Sequence, residues 1–202
     1  MKLFFSPGAC SLSPHIALLE AGVPFDLQKV DTKSHQTAEG GDFYAVNAKG
    51  YVPVLQLNDG QLLTEGPAIV QYIADQKPES KLAPKAGSIE RYRLQEWLNF
   101  ITSEIHKGFS PLFAADTPAE YKEIAKAKLG KRFDWLSTQL AGKSYLMGDT
   151  FTVADGYLFT VINWGQWVGI DLANWPVLKE YHGRVAARPQ VQQAMKAEGL
   201  LK

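Results

Sequence analysis

A second cysteine is missing from the 202 residues; Cys10 stands alone. One thiol closes no internal disulfide, which excludes a disulfide-stapled secreted scaffold and makes a reducing cytoplasm the default location. An excess of charge is missing too. Lys+Arg and Asp+Glu each number 21, so no bulk attraction to nucleic acid or to an anionic membrane is expected. No apolar run approaches the ~18 residues that span a bilayer. The opening stretch, broken by Pro7-Gly8, is too short for a signal peptide. Repeats and low-complexity segments are also absent. Hydrophobic residues, at 46%, are plentiful enough for a full core. The length allows one large domain or two small ones.

Residues 2–5 read as a strand stopped by Pro7-Gly8. A helix follows, with Ser11 or Ser13 to cap it, Pro14 in its first turn and Gly22 to close it. Phe25 to Val30 reads as a second strand. Residues 32–50 are polar and Gly-rich, with one weak helical stretch near Asp42–Val46. Asn58-Asp59-Gly60 joins two apolar runs into a hairpin, since Asp-Gly is a strong turn signal. Thr64-Glu65-Gly66-Pro67 opens another helix. The order β-α-β-(α)-β-β-α suits a mixed sheet with helices on its faces. The Pro-, Lys- and Gly-rich stretch to Gly87 reads as a linker. Beyond it every pattern is helical: 88–109, 118–140, 152–168, 175–187 and 190–197.

Cys10 lies in the turn before the first helix, where unpaired N–H groups and the helix dipole favour a thiolate. A free cysteine titrates near ~8.5, and a helix N-terminus lowers this by ~1 unit or more. The run Cys10-Ser11-Leu12-Ser13 is C-x-x-S and has no resolving cysteine. A redox cycle here must borrow an external thiol, for which glutathione is the obvious source. The bland alternative is a small residue buried in a turn.

Val52-Pro53 begins a strand, the place a proline without a donor belongs. Were the bond cis, the N–H and C=O of Val52 would be free to bind a peptide ligand. At Glu65-Gly66 the helix-start N–H groups suit a carboxylate, and Glu65 suits an ammonium. Glu65 also fits a plain helix-dipole role. Glu96, Asn99, Ser103, His106 and Lys107 fall on one side of a helix at ~100° per residue. Such a stripe is usually just the solvated face. Thr152-Val153-Ala154-Asp155 reads as a capping box, with Asp in the usual Glu/Gln place.

These segments in order resemble a bacterial beta-class glutathione transferase over the whole chain. The resemblance rests on Cys10, Gly50-Tyr51-Val52-Pro53-Val54-Leu55, Leu63-Thr64-Glu65-Gly66-Pro67-Ala68-Ile69, Glu96 to Phe109 and the helical second half. It implies a thioredoxin-like glutathione-binding domain over 1–77, a linker over 78–87 and an all-α domain over 88–202. It implies a homodimer that uses glutathione as co-substrate and needs no metal. By the same resemblance Pro53 follows a cis bond, and Val52 pairs with the cysteinyl backbone of glutathione. Glu65 and Gly66 hold its γ-glutamyl group. Cys10, with Ser11 beside it, faces its sulfur. His106 and Lys107 serve that sulfur, and Cys10 and His106 are the expected catalytic pair. Asn99, Ser103 and Glu104 match glutathione contacts, some of them across the dimer interface.

Two positions depart from the pattern. Phe5 replaces a tyrosine found in some relatives. His35 stands where relatives often carry a lysine for the glycyl carboxylate, so glutathione binding is expected to tighten below about pH 6.5 if His35 takes that role. The expected activity is conjugation of reduced glutathione to small hydrophobic electrophiles, with thiol-disulfide exchange or peroxidase chemistry through Cys10 on the side. Phe109, Phe113, Trp164 and Trp167 are candidates for the apolar wall or for core packing. A non-catalytic partner-binding protein on the same fold is the reading from another class.

Overall fold

The computed structural model describes residues 1–201. The chain forms two compact units. One comprises Met1–Ala83 together with the segment from Arg188 onward, and the other is Pro84–Ala187.

The first unit is built on β1 (Lys2–Phe5), β2 (Asp26–Asp31), β3 (Gln36–Thr37), β4 (Val54–Gln56) and β5 (Leu62–Thr64). They form one sheet in the order β3-β2-β1-β4-β5. β1 runs parallel to β2 and antiparallel to β4, and β4 pairs antiparallel with β5. The parallel pair needs a crossover, which α1 (Leu12–Ala21) supplies. The Asp59-Gly60 turn joins β4 to β5, and Gly60 takes φ 88°, which a side chain disfavours. β3 was not legible in the polar stretch. It is two residues long and is pinned by pairing with β2 at Val30 and Asp31. The weak helix expected near Asp42 is a single 3-10 turn over Phe43–Ala45, capped by the Asp42 carboxylate. Phe43 packs with Phe4, Val30, Val52 and Val54 on one face of the sheet.

α2 (Gly66–Gln76) packs on α1. So does α9 (Pro189–Ala197), the last helix of the chain. The expected division at residues 78–87 placed that helix with the all-α half. Here it lies against α1, tied by Arg188, whose guanidinium donates to both oxygens of Glu20 at 2.6 and 2.8 Å.

The second unit contains α3 (Ile89–Phe100), α4 (Lys107–Phe113), α5 (Ala119–Leu140), α6 (Val153–Ile162), α7 (Gly165–Val168) and α8 (Pro176–Ala186). Two helices expected to be continuous are interrupted. Between α3 and α4 the residues Ile101–His106 wind as a π-helix, where the Lys107 N–H reaches back to Thr102 O. The turn at Asn163 and Trp164 separates α6 from α7. The expected capping box is present. Asp155 accepts from the Thr152 N–H at 2.8 Å, while Thr152 receives the backbone bond in return. The cap expected for α1 is not. The Ser11 side chain caps nothing, and Ser13 Oγ is buried without a hydrogen-bond partner. No helix among the described residues is long and apolar enough to cross a membrane.

Candidate functional site

In the first unit the turn after β1 carries Cys10. It is closed by Ser11, whose hydroxyl accepts from the Ser6 N–H at 3.1 Å and donates to the Ser6 carbonyl at 3.2 Å. That explains the missing cap: the hydroxyl faces back into the turn. The Leu12 and Ser13 N–H groups are taken by Ala9 O and Cys10 O, so a short turn precedes the helix proper. A second anchor comes from the far end of the chain. Glu198 accepts from the Gly8 N–H at 2.9 Å with one oxygen and meets His15 Nδ1 at 2.9 Å with the other. All of this is buried. Nothing local in the sequence marks Glu198, since its partners lie more than 180 residues away.

The half-buried Cys10 thiol lies 3.4 Å from the Val52 carbonyl oxygen, to which it donates. The Val52-Pro53 bond is cis. The approach to it is held by Asn47, whose amide donates to Tyr51 O at 2.8 Å. Gly50 permits a tight passage there. It has φ 68°, and a Cβ would lie 2.8 Å from the Tyr44 ring and 2.9 Å from His35 Nδ1. Only glycine meets both conditions without strain.

Glu65 precedes α2 at φ 70° and ψ 114°, a left-handed conformation unusual for a residue with a side chain. Its carboxylate makes no cap bond. It accepts instead from Lys49 Nζ at 2.5 Å, and the same ammonium reaches Thr64 Oγ1 at 3.2 Å. Both charges are largely exposed. Lys49 escaped the sequence reading, although it directly precedes the Gly50 motif. Gly66 opens the helix, with Pro67 next. His35 also has positive φ, 53°. Its ring lies 4.4 Å from that of Tyr44, and its Nδ1 is buried without a hydrogen-bond partner.

In the second unit Glu96, Asn99, Ser103 and Lys107 of the expected stripe are exposed, whereas His106 leaves it and turns to Tyr157. That projection assumed α-helix throughout, and the π-turn changes the rotation per residue. Asn99 is exposed, and its amide bonds back to Gln95 O at 2.8 Å. Glu104 turns to α5, where Arg132 Nε donates to it at 2.7 Å. Ser103, Glu104, Lys107, Lys128 and Arg132 border a cavity of about 420 Å³ between α4 and α5. Gly108 lets these helices close up, since a Cβ there would sit 2.8 Å from Leu129 Cδ2.

His106 is held apart from that cavity. Its Nδ1 lies 2.6 Å from Tyr157 Oη, and its ring meets Trp164 edge-on at 4.9 Å. Burial, with the neighbouring Lys107 charge adding to it, pushes the His106 pKa down to about 4. It is therefore neutral at pH 7. Tyr157 was not expected as a functional residue. It lies 51 positions from His106 in the sequence, inside an apolar helix that offers no polar pattern. Phe109 and Trp164 are buried and pack together, whereas Phe113 and Trp167 are exposed.

The model of the glutathione S-transferase N-terminal domain matches residues 8–76, and that of the C-terminal domain matches 100–189. The chain is 48% identical to glutathione S-transferase GstA of Escherichia coli O157:H7 over 99% of this chain and 100% of the relative. The chain belongs to the glutathione S-transferase family. A sphingomonad glutathione S-transferase solved in complex with glutathione is 51% identical, with full coverage of both chains and a TM-score of 0.96. A bacterial beta-class enzyme from Sphingomonas chungbukensis is 50% identical, again with full coverage of both and a TM-score of 0.96. The transferase thus has the thioredoxin-like sheet domain and helical C-terminal domain of its family, as the sequence resemblance implied.

Proposed function

We propose that this transferase joins reduced glutathione to small hydrophobic electrophiles as a homodimer. The carrying observation is the meeting of Cys10 Sγ with the Val52 carbonyl at the cis Val52-Pro53 bond. Glu65 and Gly66 open α2 in the same unit. In the proposal Val52 pairs with the glutathione backbone, and the Gly66 end of α2 takes the γ-glutamyl carboxylate. Glu65, pre-positioned by Lys49, takes the ammonium. Ser11 acts by shaping the turn, since its hydroxyl is engaged with Ser6. His35 is assigned to the glycyl end. Asn99, Ser103, Glu104, His106 and Lys107 complete the assignment, with His106 and Lys107 serving the sulfur.

The chemistry is displacement or addition. The glutathione thiol loses its proton to solvent, and the thiolate forms a carbon–sulfur bond while the electrophile releases its leaving group. A second activity follows from the lone thiol. The Cys10 thiolate attacks the glutathionyl sulfur of a mixed disulfide between glutathione and another thiol, taking up the glutathionyl group and releasing that thiol as thiolate; reduced glutathione then attacks the Cys10 mixed disulfide, leaving as glutathione disulfide and freeing Cys10.

Calorimetric titration with reduced glutathione tests the reading. Binding is expected in the wild type, weakened about tenfold or more in Glu65→Gln, where an ion pair to the ligand ammonium is lost. Cys10→Ala is expected to abolish disulfide exchange and spare much of the conjugation of an aromatic halide. No binding at millimolar glutathione would sink the proposal.

A further inference from the structure

The mouth of α1 offers a sulfur anion fewer backbone donors than its position promises. The N–H groups of Leu12, Ser13 and His15 are spent on the carbonyls of Ala9, Cys10 and Ser11, at 3.0, 3.2 and 3.2 Å. Pro14 has none to give. The Ser11 hydroxyl is engaged with Ser6 in both directions. Ser13 is different. The residue is 2% exposed, and its Oγ has no hydrogen-bond partner among the described residues. A serine inside a helix often bonds back to a carbonyl one turn earlier; this one does not. A buried hydroxyl without a partner is costly and calls for a use in another state of the site.

Cys10 supplies that state. Its thiol donates to the Val52 carbonyl at 3.4 Å. A thiolate has no hydrogen for that bond and is repelled by the carbonyl oxygen, so ionisation turns the sulfur away. The bond from the Ser13 N–H to the Cys10 carbonyl closes an i to i+3 turn, and such a turn brings side chains i and i+3 onto one side. We propose that Ser13 donates its hydroxyl hydrogen to the Cys10 thiolate, so that Cys10 and Ser13 act as one unit in thiol-disulfide exchange. The bond is selective. A neutral thiol is a weak acceptor, whereas a hydrogen bond to the charged form favours ionisation. Glu198 and His15, the titratable pair bonded to this turn, are tied to each other and to the Gly8 N–H, and they hold the turn in both states. Departure of the sulfur also leaves the Val52 carbonyl to a ligand, where the proposed function puts the glutathione backbone. That consequence rests on the proposed function; the Ser13 contact does not.

The test is an ultraviolet titration of the Cys10 thiolate in the full chain without ligand, with Cys10→Ala as the blank. Ser13→Ala is expected to raise the midpoint by about 1 unit, a tenfold loss of thiolate below it. It is also expected to melt no lower than the wild type, since it removes an unmatched hydroxyl. An unmoved midpoint overturns the proposal. A clear fall in melting temperature shows that the hydroxyl is matched at rest, and overturns it too. A crystal structure of the wild type at a pH above the midpoint needs no variant to fold. It is expected to show Ser13 Oγ within hydrogen-bond reach of Cys10 Sγ, with the sulfur off the Val52 carbonyl. Ser13 Oγ bonded instead to an ordered water or a backbone carbonyl in that state overturns the proposal. Calorimetry with reduced glutathione separates the two readings. The shifted midpoint with no binding sinks the function proposal alone, whereas binding with an unmoved midpoint sinks the Ser13 contact alone.

Discussion

Asp155 is the most heavily committed carboxylate described in the second unit. It is fully buried, and it accepts from the Thr152 N–H, the Leu146 N–H, the Thr152 hydroxyl and the Tyr181 hydroxyl at 2.8, 2.8, 2.9 and 3.0 Å. Burial pushes its pKa up, and these donors pull the other way. Replacing it with alanine strands four buried donors, each costing ~1–3 kcal/mol if left unmatched and not fully additive. Asp155→Ala is expected to lose about 3–5 kcal/mol in urea unfolding, and a loss under 1 kcal/mol would show that the cap is dispensable. His106 sets a pH dependence of stability. Its pKa is about 4 in the folded chain and ~6.5 unfolded. Between those values the unfolded state binds more protons, so stability falls as pH drops from about 6.5 toward 4. The full effect is at most about 3 kcal/mol. Unfolding curves at pH 7 and pH 5 should differ, and His106→Gln should flatten that difference.

At the scale of elements, the first long helix of the second unit was legible as a helix but not as an interrupted one. Its apolar residues Leu94, Leu98, Ile101 and Ile105 keep a buried face on either reading. Hydrophobic pattern alone therefore does not reveal one extra residue per turn. The interruption carries the candidate residues Ser103 and Glu104 and ends at His106. Immediately after it, Gly108 sets how closely α4 approaches α5. Gly108→Ala would push a Cβ onto the Leu129 side chain, at an expected cost of about 1–3 kcal/mol. The same change in a Leu129→Ala background should cost less than half as much. Equal costs in the two backgrounds would place the strain elsewhere.

At the scale of the whole molecule, the chain returns to its beginning. The segment from Arg188 joins the first unit, through α9 on α1, Arg188 on Glu20 and Glu198 on Gly8 and His15. Removing residues 188–202 would leave the Gly8 N–H and His15 without the carboxylate they share, and would bare the apolar face of α1. Such a chain is expected to lose amide exchange protection around Cys10 and to lose glutathione binding. Retained protection across residues 6–16 would show that the turn stands by itself.

By itself the sequence determined what depends on neighbours within a few positions. The Asp-Gly hairpin, the Thr152–Asp155 box, the thiol beside a helix start and the Val52-Pro53 strand entry are local chemistry, readable wherever they occur. The family resemblance added their order, and with it the two domains. Tertiary structure alone decided the pairings that cross the chain: Lys49 with Glu65, Glu198 with Gly8, Tyr157 with His106. A linear pattern carries no signal for these, since each partner looks like an ordinary surface charge, terminal residue or apolar helix member until folding brings its mate within hydrogen-bond reach.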